Sequence, residues 1–256
     1  MALPDRRPFG PGPYVLGARL TPDIDESQFP FRLPAVRALE SLEFAASITF
    51  LIGENGSGKS TLIEALARAL RFDEEGGTEG GELRPKHFSN DPLGESLRLE
   101  FGPHKPGRAF FLRAESFFNT ARRIDAEGLE AVYGGTGLHE QSHGESFLAL
   151  AANRFGGEGL YLLDEPEAAL SVTSALAFLG IMHRAATAGA QFIVATHSPI
   201  LLAAPGARIY ELDELGADEV SWETADPTRL TRAFLEAPER FLREVLASDD
   251  GSRSPD

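Results

Sequence analysis

Three short runs of this chain, residues 48–52, 159–163 and 191–195, are apolar nearly throughout. A strand shielded on both faces reads this way, because neither of its sides meets water. Between and before the runs the apolar positions follow a helical period instead. In 59–70 they are Leu62, Ile63, Leu66, Ala67 and Leu70, and in 144–154 they are Phe147, Leu148, Leu150 and Ala151. Residues 171–186 are a third, mostly apolar helix. Buried strands alternating with helices predict an α/β fold with a mostly parallel sheet covered on both faces. Weaker signals predict a first strand at 14–20, a short helix or turn at 33–42, closing strands at 208–212 and 219–223, and one or two helices over 227–246. Residues 96–101 and 108–113 are strand-like and flank a Gly/Pro turn, which predicts a hairpin. A helix is expected to open at 114–118 and run to 124, with a glycine-containing connector to 143. Residues 73–93 read as a long polar loop, 1–13 as a loose Pro/Gly-rich lead, and 247–256 as a disordered tail. Residues 14–246 are expected to form one domain.

Composition narrows the chemistry. The 256 residues contain no cysteine, which excludes disulfides, thiolate zinc sites and cysteine nucleophiles. The longest stretch without Asp, Glu, Lys, Arg or His, 168–182, is too short and too polar to span a bilayer, and Arg6 and Arg7 are not followed by an apolar leader segment. The expectation is a soluble, cytoplasmic protein without direct membrane insertion. Net charge is −15, and lysine occurs only at 59, 86 and 105. Such a surface repels nucleic-acid phosphates on average, although arginines such as Arg113, Arg122 and Arg123 could form a local patch.

The first apolar run leads into Gly53-Glu54-Asn55-Gly56-Ser57-Gly58-Lys59-Ser60-Thr61, a glycine-rich turn followed by a helix. This is the phosphate-cradling P-loop pattern. Its glycines let main-chain N–H groups from Asn55 through Thr61 converge on phosphate oxygens, and the helix N-terminus adds a positive dipole end. Lys59 would reach the β- and γ-phosphates of ATP, and the Ser60 hydroxyl would hold Mg2+. Such a site needs a second strand that delivers a carboxylate to the metal. The run 159–163 does so with Asp164, and Glu165 follows it as a candidate general base for water.

Together these motifs resemble those of ABC-type ATPases, the superfamily of transporter motors and chromosome-maintenance or repair ATPases. Leu163-Asp164-Glu165-Pro166 looks like the family's Walker B segment. The resemblance implies that Asp164 ligates Mg2+ and Glu165 is the base. Thr196-His197-Ser198 matches the switch histidine, which contacts the γ-phosphate. Ala168-Ala169-Leu170-Ser171 sits at the D-loop, with Ser171 where Asp is usual. Gln141-Ser142-His143-Gly144-Glu145-Ser146 resembles the ABC signature, with Ser142, Gly144 and Glu145 in register, Gln141 in place of Leu and His143 in place of Gly. In the family this segment caps the ATP held by a partner's P-loop, so the resemblance implies a homodimer that forms on ATP binding. Glu115 falls where the Q-loop places a metal-sensing Gln, as a candidate Mg2+ ligand. Phe29 and Phe31 are candidates for stacking on adenine.

More narrowly, the P-loop, the segment from His139 to Ser146 and the segment from Asp164 to Ser171 are similar to those of small bacterial stand-alone ATPases. The resemblance implies a P-loop NTPase of ABC-ATPase type with a small antiparallel β part. Only 25 residues separate Glu115 from Gln141. That leaves a reduced helical lobe over about 115–155 and no room for a long coiled coil. The expected function is Mg2+-dependent ATP hydrolysis by a soluble motor or switch in DNA repair or defence, acting on a protein client or nucleic acid. The rivals are the nucleotide-binding subunit of a membrane transporter and a slow nucleotide-gated adaptor.

Overall fold

The structure, a computed structural model, describes residues 7–22, 24–25, 27–72, 92–113 and 143–249. The expected apolar runs are its innermost strands: β2 (Ile48–Gly53), β5 (Gly159–Asp164) and β6 (Gln191–Ala195). With β4 (Arg108–Arg113), β7 (Arg208–Asp213) and β8 (Gly216–Val220) they form a six-stranded sheet in the order β4-β5-β6-β2-β7-β8. Every pairing is parallel except β7–β8. A second sheet pairs β1 (Val15–Leu20) with β3 (Leu97–Phe101) antiparallel. The architecture is thus the expected one, a mostly parallel sheet with helices on both faces and a small antiparallel part.

Side-chain alternation sorts the helices between faces. Leu51, Leu162 and Ile193 point to one side, where α2 (Lys59–Ala69) packs through Leu62, Ile63 and Leu66 with α1 (Pro34–Arg37). Short α3 (Pro92–Ser96) packs Leu93 there too. Phe50, Leu163 and Val194 point to the other, against Phe147 and Leu150 of α4 (His143–Arg154) and Phe178 and Met182 of α5 (Val172–Thr187). Phe155 meets Tyr161, Phe178 and Phe192 there, with ring centroids 4.6–5.9 Å apart. Helices α6 (Asp226–Glu236) and α7 (Pro238–Asp249) end the described chain, with Phe234 of one against Phe241 of the other. No helix of the described residues is long and apolar enough to cross a membrane.

Several expectations change. The hairpin of 96–101 and 108–113 does not form: β3 pairs with β1, while β4 lies parallel to β5. The reason is burial, since Phe110, Phe111 and Leu112 bury β4 against β5 at the edge of the large sheet, while β3 is half exposed. The last strand comes earlier than 219–223, because the Asp213 carboxylate accepts the N–H groups of Leu215 and Gly216 and turns the chain at once. Within the lead, residues 7–13 are tied down: Arg7 donates to the carbonyls of Gly102 and His104, and Gly12 N–H donates to Gly189 O at 2.8 Å. The helix and connector expected over 114–142, the loop over 73–91 and the tail from 250 lie outside the described residues, but the described ends of these segments are helical: Pro92 and Leu93 open α3, His143 opens α4 and residues 247–249 close α7.

One buried amide joins the two sheets. Gln191 Oε1 accepts the N–H groups of Tyr14 and Val15 at 2.7 and 3.0 Å, and its Nε2 donates to the carbonyls of Val15 and Phe44. Gln191→Leu keeps the volume but strands four main-chain groups out of water. At about 1–3 kcal/mol for each group left unsatisfied, with partial relaxation, we expect a loss of roughly 2–4 kcal/mol. In thermal melts that is a Tm fall of about 5–15 °C; an unchanged Tm would show that the amide is not the tie between the sheets.

Candidate nucleotide site

Parallel strands that start together also end together, and here they end as one line of functional groups. In register, Leu51 of β2 lies beside Ala195 of β6, which lies beside Asp164 of β5. The P-loop, the 164–167 turn and the 196–199 loop therefore leave the sheet at one level. Two cross-links hold them there: Glu165 N–H donates to Ala195 O at 2.9 Å, and Thr196 N–H to Leu51 O at 3.2 Å.

Glycine is required where the P-loop bends. Gly58 has φ +93°, and a Cβ on it would stand 2.9 Å from Leu33 Cβ. Gly56 has φ +87° but faces open space, so its main chain can be approached closely from outside. The Lys59 ammonium folds back over this loop, donating to Gly53 O at 2.7 Å and Glu54 O at 3.0 Å. Burial lowers its pKa, and Glu165, Asp164 and Glu167 oppose that shift.

Asp164 is 4% exposed and held from two sides. Ser60 Oγ donates to its Oδ1 at 2.9 Å, and Arg113 Nε lies 3.2 Å from its Oδ2. Burial raises its pKa, with Ser60 and Arg113 working against the rise. Arg113 also pairs with Glu64 of α2. Glu165 takes a left-handed backbone, φ 47° and ψ 51°, unusual for a residue with a side chain. That conformation costs about 1–2 kcal/mol and turns the chain as β5 ends, with the Glu165 carboxylate half exposed. His197 Nε2 lies 3.8 Å from Glu165 Oε1 and is buried without a hydrogen-bond partner. An orphaned polar atom of this kind calls for an incoming partner, and a phosphate oxygen fits it. Burial lowers the His197 pKa, Lys59 adds to the effect, and Glu165 opposes it.

Lys59, Ser60, Asp164, Glu165 and His197 thus meet at one edge of the sheet. Asn55 and Gly56 are exposed on the loop, Ser57 is buried, and Thr61 lies in the first turn of α2. Gly144 and Glu145 begin α4 on the opposite layer from α2. There Gly144 lets the helix approach the 164–171 segment, since a Cβ would stand 3.2 Å from Ser174 Oγ and 3.5 Å from Ala169 O. Ser171 caps α5, accepting Ser174 N–H at 3.2 Å. Ser142 and Glu115 lie outside the described residues. Of the two phenylalanines, Phe31 is in the core, whereas Phe29 is 65% exposed on the segment that leads to Leu33 beside the P-loop.

Two groups at the site escape a motif-based reading. Arg113, considered above for a nucleic-acid patch, is instead the cation beside Asp164, and only the β4–β5 register reveals it. Glu167, within a motif read for its neighbours, accepts the main-chain N–H of His197 at 2.5 Å.

The Ser60–Asp164 pair suits Mg2+, which binds one or two protein oxygens and completes its shell with phosphates and waters. Among the described residues no cluster of three or more His, Cys, Asp or Glu offers a more enclosed metal site.

Comparison with known proteins shows the family. A family model described as "AAA domain, putative AbiEii toxin, Type IV TA system" matches residues 48–122 and 140–203, more than half of the chain. The chain belongs to this family of P-loop, ABC-type ATPases. The cytochrome c biogenesis ATP-binding export protein CcmA of Rhodospirillum rubrum is 31% identical over 201 residues, 73% of this chain and 79% of that protein. The hemin import ATP-binding protein HmuV of Nocardia farcinica is 32% identical over 224 residues, 78% of this chain and 77% of its own length. Among solved structures, the SMC head domain from Thermotoga maritima is a distant likeness, with a TM-score of 0.40 at 17% identity over 70% of this chain and 92% of that one.

The lowered pKa of His197 extends its neutral form to lower pH. In NMR titration of the nucleotide-free protein, the ring signal lost in His197→Gln should titrate below pH 6.5, the ordinary histidine value. A midpoint at or above that value would mean that burial and Lys59 do not outweigh Glu165 at the imidazole.

Proposed function

We propose that this ABC-type ATPase binds ATP with Mg2+ in the P-loop, hydrolyses it, and does so as a homodimer closed head to tail around the nucleotide. The observation that carries this reading is the meeting of Lys59, Ser60, Asp164, Glu165 and His197 at the carboxyl edge of β2, β5 and β6. Lys59 leaves its loop carbonyls for the phosphates, and its charge is then set against phosphate charge rather than against neutral oxygens. Ser60 and Asp164 would hold Mg2+, which when bound neutralises phosphate charge and polarises the terminal phosphoryl group. Glu165, half exposed beside the metal-side carboxylate, orients water and accepts its proton. His197 Nε2 completes the γ-phosphate end, and the exposed Phe29 would stack on adenine.

The homodimer is supported by layering. The signature residues Gly144 and Glu145 start a helix on the face opposite α2, so a second copy is the natural source of a cap over the phosphates. On this reading Ser142 and Gly144 act on the partner's nucleotide.

For what the cycle drives, a soluble switch on a protein client is the first reading, and the family description, with its toxin–antitoxin reference, favours a role in defence. The net charge of −15 and the engagement of Arg113 with Asp164 weigh against a nucleic-acid surface at this edge. A transporter subunit is the second reading, favoured by relatives named for cytochrome c biogenesis export and hemin import. Pull-down with the ATP-bound Glu165→Gln protein separates them: a soluble client supports the first reading and a membrane permease the second.

Glu165→Gln should lower turnover by about 10²–10⁴-fold while ATP still binds, and light scattering should show an ATP-dependent dimer. Wild-type turnover in this variant would remove Glu165 from the reaction. Mixing Ser142→Arg with Lys59→Ala subunits, each inactive alone, should restore one composite site. Absence of any recovered activity would contradict the head-to-tail arrangement.

A further inference from the structure

The 196–199 loop must hold His197 at a fixed height above the sheet, and its anchors can be named. Thr196 N–H is tied to β2, and Ser198 N–H donates to Thr196 Oγ1 at 3.0 Å. Between them, the N–H of His197 goes to a side chain, Glu167 Oε1, at 2.5 Å. Glu167 stands in the 3-10 turn Pro166–Ala169, two residues after Glu165. It is an expensive residue to keep there. Its Oε2 is buried and has no hydrogen-bond partner, and burial raises the Glu167 pKa against the opposing pull of the His197 N–H, its own main chain and the Thr196 side chain. A residue tolerated at such a cost points to a use elsewhere.

We propose that Glu167 is a positioning residue: its carboxylate holds the His197 main chain where the imidazole meets the terminal phosphate, and so sets Glu165 and His197 as one rigid unit. The inference rests on the hydrolytic reading of those two residues and assigns Glu167 no contact with substrate. The turn carries both tasks because its ends face different ways. Glu165, with its left-handed backbone, is half exposed, while Glu167 turns inward to the amide.

A reporter is built in. Trp222, the chain's single tryptophan, donates its indole N–H to Pro199 O at 2.8 Å, two residues beyond His197. Its emission therefore follows the loop directly. The test compares wild type, Glu167→Gln and Glu167→Ala for steady-state ATP turnover, Tm and Trp222 emission. The Gln side-chain oxygen accepts the same N–H, so Glu167→Gln should keep kcat within about threefold and leave emission unchanged. Glu167→Ala should lower kcat about 10–100-fold, the scale of a small misplacement of a reacting group. KM for ATP should stay within about threefold, and Trp222 emission should shift.

Wild-type kcat in the Ala variant would overturn the proposal. So would a Gln variant as inactive as Glu165→Gln, which would make the carboxylate itself a proton acceptor. A third contrary result is a fall of Tm, kcat and ATP affinity together in both variants, the mark of a merely structural group. If wild type binds ATP but does not turn it over, the hydrolytic reading has failed. Emission still decides whether Glu167 holds the loop: a shift in Ala but not in Gln supports the anchor, and no shift overturns it.

Discussion

A carboxylate taken out of water must be paired, and at this site the pairing of Asp164 organises everything near it. Ser60 reaches it from the start of α2 and Arg113 from the end of β4, so three elements converge on one side chain. Burial alone would favour its protonated form; the hydroxyl and the guanidinium oppose that shift. The arrangement is also a trade. A buried ion pair adds little net stability, so a purely structural strand end would be better served by an apolar residue. Keeping the acid there makes sense if a cation takes over part of the pairing.

The same economy recurs around it. Lys59 is buried against neutral carbonyls, His197 Nε2 has no partner, Glu167 Oε2 has none, and Glu165 sits in a left-handed backbone. Each is locally unfavourable, and all four lie where the chain has just left β2, β5 or β6. The strands supply the opposite: wholly buried side chains and regular parallel pairing. A stiff sheet holding a strained edge is what a site for a highly charged ligand requires.

Much of this was legible in the amino-acid order. The runs leading to Gly53, Asp164 and Ala195 announce interior strands because they are apolar on both sides apart from Thr49 and Gln191, and the P-loop glycines announce the bend. What stayed hidden depends on partners far away in sequence. The 108–113 strand looks like half of a hairpin until burial of Phe110, Phe111 and Leu112 places it beside β5. That placement turns Arg113 from a surface cation into the neighbour of Asp164. Glu167 looks like one more acid in an acidic chain, and its role rests on a single hydrogen bond across 30 residues. That Phe31 is buried and Phe29 exposed is likewise something local pattern does not report.

The central claim is that Ser60 and Asp164 together receive the metal of a metal–nucleotide complex. Mn2+ replaces Mg2+ at such oxygen sites and is visible by EPR. Titrating the protein into equimolar Mn2+ and ATP should remove the signal of the free complex and yield a broadened, bound spectrum, and in Asp164→Asn the free signal should persist at matched ATP occupancy. Identical bound spectra from wild type and Asp164→Asn would contradict the account, because the metal would then be held without the carboxylate around which this edge is built.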